Sequence, residues 1–250
     1  MMQVKVINAL GEMMLLPREL SLQGWPMEAE LPGVEIEGHD GQVIDAGMIR
    51  LKPRDIRVTG TLQGLSKDDA DRIREMVAGF VYRANPLKLY RHELSERYML
   101  VYAQKIDHAY LTGRYGGRLF TLDIGFRAAN PALLGADQSV TVTAASADVN
   151  NPGMAPSSPV ITISGAITNP VVTNTTTGQT LALTLALAEG EPVVVDCERF
   201  RATKGGVSVV SALGEAFLTG GFKLAPGINA ITVAGTDNPN VQIAWTPRYY

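Results

Sequence analysis

Cysteine is nearly missing from this 250-residue chain: Cys197 stands alone. One thiol excludes an internal disulfide and any cysteine-built metal centre. Its place after the apolar run 193–195 reads as a free structural thiol at a strand end. Long apolar runs are missing as well. Residues 1–10 hold Lys5 and Asn8 inside a short apolar stretch, which makes neither a secretion signal nor a membrane span. No other run is long enough to cross a bilayer, and the chain is expected to be made and folded in the cytosol. A basic excess is also absent. Lys and Arg number 22 against 25 Asp and Glu, a formal net charge of −3, whereas surfaces devoted to nucleic-acid phosphates show the opposite sign. Aromatic residues reach 6%, low for a dedicated sugar binder.

The motifs of catalysis are missing too. His39, His92 and His108 include no pair at i, i+4, and there is no HExxH, no DxDxDG loop and no Cys–His cluster. Neither a GxSxG elbow nor a GxxxxGK[ST] phosphate loop occurs. The segment Gly113-Arg114-Tyr115-Gly116-Gly117 is rich in glycine, but a strand pattern follows it rather than a helix. A hairpin turn is therefore expected there, not a phosphate cradle. Carboxylates cluster at Glu28, Glu30, Glu35, Glu37, Asp40 and Asp45. A glycosidase needs two carboxyls facing each other across a cleft. Alternation with Val34 and Ile36 instead puts Glu35 and Glu37 together on one wetted strand face. The residues thus predict no catalytic residue, no metal and no cofactor, and hence no enzyme.

What is present is a globular composition, 46% apolar and 19% charged. Its clearest pattern is residues 181–188, Leu-Ala-Leu-Thr-Leu-Ala-Leu-Ala. A strand sends alternate side chains to opposite faces, so this segment predicts one strand with a heavy leucine face and a smooth Ala/Thr face. The leucine face closes a sandwich core, and the smooth face lies against a second sheet or a partner. The flanks, Ser-Pro-Val-Ile-Thr-Ile-Ser-Gly and Glu-Gly-Glu-Pro-Val-Val-Val-Asp, are strands punctuated by Gly and Pro. Further short strands are expected at 207–210, 221–224, 229–234 and 241–246. Trp245 shares a face with Val241 and Ile243, which predicts a core position. Tyr249 and Tyr250 are candidates for exposed contacts.

The first half reads as mainly β with one helix. Strands are expected at 4–8, 34–37, 54–62, 87–90, 98–105 and 118–127. In the last of these, Phe120, Leu122, Ile124 and Phe126 share one face. Ser66 begins a helix by capping its free amides. Asp68, Asp69 and Asp71 sit near the positive end of its dipole, and Ala70, Ile73, Val77 and Phe80 form its apolar stripe. Gly79 is the predicted stop. Residues 1–22 carry scattered apolar side chains with no obvious partner, so this segment is expected to pack across a neighbouring subunit. The fold class is mainly β, a β-rich α+β chain. Its divisions are an N-terminal domain (1–135), a linker or connecting strand (136–158) where the composition turns to Ala, Ser, Thr, Asn and Pro, and a C-terminal sandwich (159–250).

Several segments carry a resemblance. They are Ile44-Asp45-Ala46-Gly47, Pro53-Arg54-Asp55-Ile56-Arg57-Val58-Thr59-Gly60, the helix that follows and the strands up to Asn130-Pro131. In the second half they are Pro159-Val160-Ile161-Thr162-Ile163-Ser164-Gly165, Thr168-Asn169-Pro170, Thr177-Gly178, residues 193–196 and Leu224-Ala225-Pro226-Gly227-Ile228-Asn229. In this order and spacing the chain resembles the distal tail proteins of long, flexible-tailed bacteriophages (siphophages). The segment from Met13 to Pro26 departs from the pattern. The resemblance implies an N-terminal β-sandwich or barrel-like domain that forms a homo-hexameric ring at the tail tip, followed by a galectin-like sandwich outside it. It implies a structural virion protein without catalytic residues. Its expected partners are further copies of itself, the tail tube protein, the tape-measure protein and receptor-binding baseplate proteins; no membrane and no nucleic acid is among them. A carbohydrate-binding module adhering to cell-wall glycans is the alternative, and a glycan-degrading enzyme the third reading.

Overall fold

The computed structural model describes residues 3–25, 29–30, 33–35, 42–44, 50–93, 95–111, 116–143, 145–235 and 240–249. Glu28, Ile36, Glu37, His39, Asp40, Asp45, Ala46, Gly47, residues 112–115 and Tyr250 lie outside them, as do the side chains of Glu30 and Glu35. The chain divides into two compact units, Met1–Leu133 and Leu134–Tyr250.

The first unit opens with three short strands, β1 (Lys5–Ile7), β2 (Met13–Leu15) and β3 (Ser21–Gln23). Then come β4 (Ala29–Glu30), β5 (Gly33–Glu35), β6 (Gln42–Ile44) and β7 (Arg50–Leu51), with β4 paired to β7 and β5 to β6. The body follows: β8 (Arg54–Gln63), helix α1 (Lys67–Arg83), β9 (Leu87–Tyr90), β10 (Tyr98–Tyr110), β11 (Leu119–Ala128) and β12 (Leu133–Leu134). The sheet runs β2-β1-β9-β10-β11-β8-β3. Strand β10 divides its length between β9 and β11 and also pairs with β12. Residues 98–101 pair with β9 and residues 102–110 with β11, across a bulge between Ala103 and Lys105. Tyr110 lies opposite Phe120, so the chain from β10 to β11 is an antiparallel hairpin, as the glycine-rich connection predicts.

Alternation sorts the sides of this sheet. Phe120, Leu122, Ile124 and Phe126 of β11 are fully buried, together with Ile56 and Val58 of β8. Helix α1 covers them with Ala70, Val77 and Val81, and Ile73 and Phe80 pack at the margin. Ser66 accepts the amide of Asp69 at 3.1 Å, and the Asp69 carboxylate accepts the amide of Leu65 at 3.0 Å, a reciprocal cap. The helix does not stop at Gly79. Val81 continues its buried stripe, and the turn ends at Ala84, two residues before Pro86, where the ring disfavours further helix.

The N-terminal segment also differs from expectation. Val4, Val6, Leu16 and Leu20 are buried in the core of their own unit. Gly60 makes room for this: a Cβ there would lie 2.2 Å from the Glu19 carbonyl. What the segment leaves outside is Leu10, Met13 and Leu15.

The second unit is a sandwich. Its strands are β13 (Gln138–Val142), β14 (Ser146–Asn151), β15 (Val160–Ser164), β16 (Ile167–Thr168), β17 (Val171–Asn174), β18 (Gln179–Ala182), β19 (Ala186–Leu187), β20 (Val193–Asp196), β21 (Arg201–Lys204) and β22 (Val207–Ser208). A 3-10 turn (Val210–Ala212), helix α2 (Glu215–Gly220), β23 (Gly227–Ala234), β24 (Asn240–Trp245) and β25 (Arg248–Tyr249) complete it. One sheet runs β13-β24-β15-β20-β21-β22 and the other β14-β23-β17-β18. Segment 136–158, read as a linker or connecting strand, supplies a strand to each sheet: β13 pairs with β24 and β14 with β23.

The leucine segment keeps its periodicity but not its continuity. Leu181, Leu183 and Leu187 are buried and Leu185 packs against the same core. The backbone, however, leaves β18 after Ala182 and re-forms as β19, paired with β16 rather than with β17. Between them Leu183 donates to the Pro170 carbonyl, Thr184 donates to Ala212, and Leu185 accepts from Asn169. The expected smooth face is covered at Ala182, where Gly214 docks and donates to its carbonyl at 2.9 Å.

Candidate docking surface

The titratable groups are tied into the fold singly or in small clusters. Cys197 is buried, and desolvation, with Asp196 beside it, pushes its thiol up to about 12. His108 meets an Arg74 guanidinium nitrogen through Nε2 at 3.1 Å. Tyr110 donates to Asp71, and that bond raises the phenol's pKa. Lys105 bonds Asp107 at 2.6 Å and lowers that carboxyl's pKa. Lys204 does the same to Glu191 at 2.8 Å. No group of three metal-ligating side chains comes together among the described residues. No described helix is long and apolar enough to cross a membrane.

The outer surfaces are more specific. In the first unit, strand parity divides the outward sheet face in two. One half is charged and internally neutralised. Arg57 of β8 lies 3.4 Å from Asp123 of β11, Arg127 of β11 lies 2.9 Å from Asp55 of β8, and Lys105 and Asp107 pair on β10. The other half is apolar with two lysines. Its residues are Met13 and Leu15 of β2, Lys5 and Ile7 of β1, Lys88 and Tyr90 of β9, and Tyr98, Leu100 and Tyr102 of β10, as the registers dictate. The Lys5 ammonium sits 3.9 Å from the Tyr90 ring centre and that of Lys88 4.6 Å from Tyr98. The two rings lie 5.5 Å apart. Lys5 also donates to the carbonyls of Glu93 and Ser95.

In the sandwich, the outward face of the six-stranded sheet is mostly small and polar, with Asp196 and Arg201 continuing it along β20 and β21. Ser139 and Thr141, Gln242 and Ala244, Val160 and Thr162, Val194 and Thr203 occupy neighbouring positions across five strands. This face, rather than the leucine segment, is the smooth surface of the unit. Trp245 is 5% exposed and belongs to the core with Val241 and Ile243, as its strand face predicts. Tyr249 is buried as well, contrary to the exposed contact expected of it.

One end of the sandwich is built around three buried asparagines that sequence reading missed. Asn229 Oδ1 accepts the Ala225 amide at 2.8 Å and the Asn174 amide nitrogen at 2.9 Å. Asn229 Nδ2 donates to the carbonyls of Ala225 at 2.8 Å and Gly227 at 3.0 Å. Asn174 also holds the Lys223 carbonyl, and Asn151 the carbonyls of Ala155 and Leu224. Gly227, at φ +85°, closes the turn that Asn229 clamps. The residues Pro226-Gly227-Ile228-Asn229 were visible as a turn; the clamp was signalled by an asparagine between apolar strand residues.

Residues 152–249 match the family of the siphovirus-type tail component, C-terminal domain. The match lies within the second unit. The whole chain shares its fold with the crystal structure of Dit (gp 19.1) of SPP1, a paradigm of the hub adsorption apparatus in phages infecting Gram-positive bacteria. The TM-score is 0.73 at 19% identity, over 99% of each chain. A chain of the phage P2 baseplate in its activated conformation with calcium is similar over 98% of both, with a TM-score of 0.56 and 8% identity. No curated protein matches the sequence.

Proposed function

We propose that this chain is a structural hub of a long, flexible phage tail. Copies of it form a homo-hexameric ring at the tail tip, which joins the tube and the end of the tape-measure protein to the baseplate or receptor-binding apparatus. The observation that carries this reading is agreement of fold along both units with the Dit hub protein, coupled to the tail-component match of residues 152–249. The surfaces fit a role of attachment. The sandwich offers a smooth sheet of Ser, Thr and Gln side chains for contact, and its tryptophan is committed to the core rather than displayed for sugar stacking. The place of work is the virion, after synthesis in the bacterial cytoplasm.

Light scattering coupled to gel filtration, followed by negative-stain microscopy, tests the ring. Six-fold rings are expected. A monomer at every concentration overturns the ring. Antibody labelling of particles tests the location independently: gold at the distal tail end supports the hub, and gold on the capsid refutes it.

A further inference from the structure

The chain has two tryptophans, and they differ in setting. Trp245 lies in the core of the second unit. Trp25, just beyond β3, is half-buried and lines a cleft of about 380 Å³ on the first unit. The other lining residues are Arg91, Ser95, Glu96 and Arg97 of the β9–β10 connection and Leu133 of β12. That volume falls within the range of small-molecule sites, about 300–1,000 Å³. Both walls are held in place. Gly24, at φ +77°, brings the end of β3 so near β8 that a Cβ there would lie 2.6 Å from the Asp55 carbonyl. The Trp25 carbonyl accepts from the Arg54 guanidinium, and its side chain packs in part against the core of the unit. Across the cleft, the Ser95 amide donates to the His92 carbonyl at 3.0 Å, and Lys5 donates to the carbonyls of Glu93 and Ser95. The polar side chains of the lining do not satisfy one another. Arg91 and Glu96 make no ion pair among the described residues, and the Ser95 hydroxyl makes no hydrogen bond there.

A guanidinium only donates hydrogen bonds, a carboxylate only accepts them, and a hydroxyl does both. A site for an anion gains nothing from Glu96, and a site for a cation gains nothing from Arg91. A ligand rich in hydroxyls uses both, accepting from the guanidinium and donating to the carboxylate. An indole adds a flat apolar wall whose face is negative, which suits the weakly positive C–H face of a pyranose ring. We propose that this cleft binds a short neutral glycan, with one sugar ring on Trp25 and its hydroxyls shared among Arg91, Ser95 and Glu96. One indole serves one ring, so a chain low in aromatic residues can still hold a single subsite. Glu96 is the sole carboxylate among the described lining residues. Glycoside cleavage needs a facing pair, so the cleft binds without cutting. The site is complete in one copy of the first unit and does not rest on the ring.

Fluorine NMR of the full chain labelled with fluorotryptophan tests the site, because Trp25 and Trp245 give separate signals that Trp25→Phe assigns. The probes are maltotriose, cellotriose and tri-N-acetylchitotriose, with inorganic phosphate and triglutamate as anionic controls. At millimolar concentration at least one trisaccharide is expected to shift the Trp25 signal and leave that of Trp245 in place. Arg91→Ala and Glu96→Ala, both at exposed positions, are expected to keep the melting temperature of the wild type. Each is expected to weaken binding of that trisaccharide about tenfold, the loss of one hydrogen bond to a charged group. If no trisaccharide moves the Trp25 signal, or only Trp245 responds, the proposal is wrong. It is equally wrong if phosphate or triglutamate moves that signal in place of the sugars, or if both alanine variants bind as the wild type does.

Discussion

Asn229 is the side chain on which the end of the sandwich hangs. Its amide group satisfies donors and acceptors on both sides of the Pro226–Gly227 turn and meets Asn174 across the sheet. Asn229→Ala strands several buried polar groups at once, and each orphan costs about 1–3 kcal/mol. The substitution is expected to lower the urea midpoint of the second unit sharply, with the first unit unaffected. Cys197 makes a different prediction. Its thiol ionises near the ordinary value when unfolded and at about 12 when folded. The folded state therefore holds the proton more tightly, and the stabilisation, full below the unfolded value, drains away as pH rises from about 9 towards 12. Thermal melts between pH 8 and pH 11 are expected to fall more steeply in the wild type than in Cys197→Ala. At neutral pH the buried thiol is expected to resist thiol-specific reagents until the unit unfolds.

Individual elements show how far sequence alone carries. Helix α1 was legible because its cap, its acidic first turn and its apolar stripe are local signals. Ser66→Ala is expected to cost about 1 kcal/mol. Gly79→Ala is expected to stabilise the chain by up to about 1 kcal/mol, since nothing crowds a methyl there. Urea titrations of the two proteins measure the difference. Strand β11 was legible for the same reason: its alternation of Phe, Leu and Ile matches its burial. The leucine segment was half legible. Its periodicity foretold which side chains go inward, but the hydrogen-bond partners that split it into β18 and β19, Pro170, Asn169 and Ala212, come from elsewhere in the chain. Segment 136–158 was half legible: a connecting strand was one of its two readings, and Ser, Thr, Asn and Ala suit both a linker and an outer strand. The apolar half of the first sheet needed the registers of β1, β2, β9 and β10 before its residues could be placed together.

At the scale of the whole molecule, the two units present different surfaces. The first offers an apolar sheet face whose two lysines lie over tyrosine rings, and a helix that carries charges of both signs. The second offers a smooth polar sheet and a rigid, asparagine-clamped end, which suits attachment of other proteins. A chain cut after Leu133 is expected to retain ring assembly if the first unit supplies the ring contacts; analytical ultracentrifugation of residues 1–133 beside the full chain measures it.

Strand β11 gives this arrangement a mechanical property. The chain leaves β11 at Ala128 and reaches the second unit through β12, which pairs with β10, while β11 lies between β8 and β10 rather than at an edge. It is paired over ten residues with β8 and over eight with β10. A pull on the chain beyond β12 loads first the short pairing of β12 with β10 and then β11 along its length, straining both ladders in shear. The rungs then share the load instead of peeling open one after another. Force applied to the chain beyond β12 is thus carried into the middle of the first unit's sheet, at its most extensively paired strand.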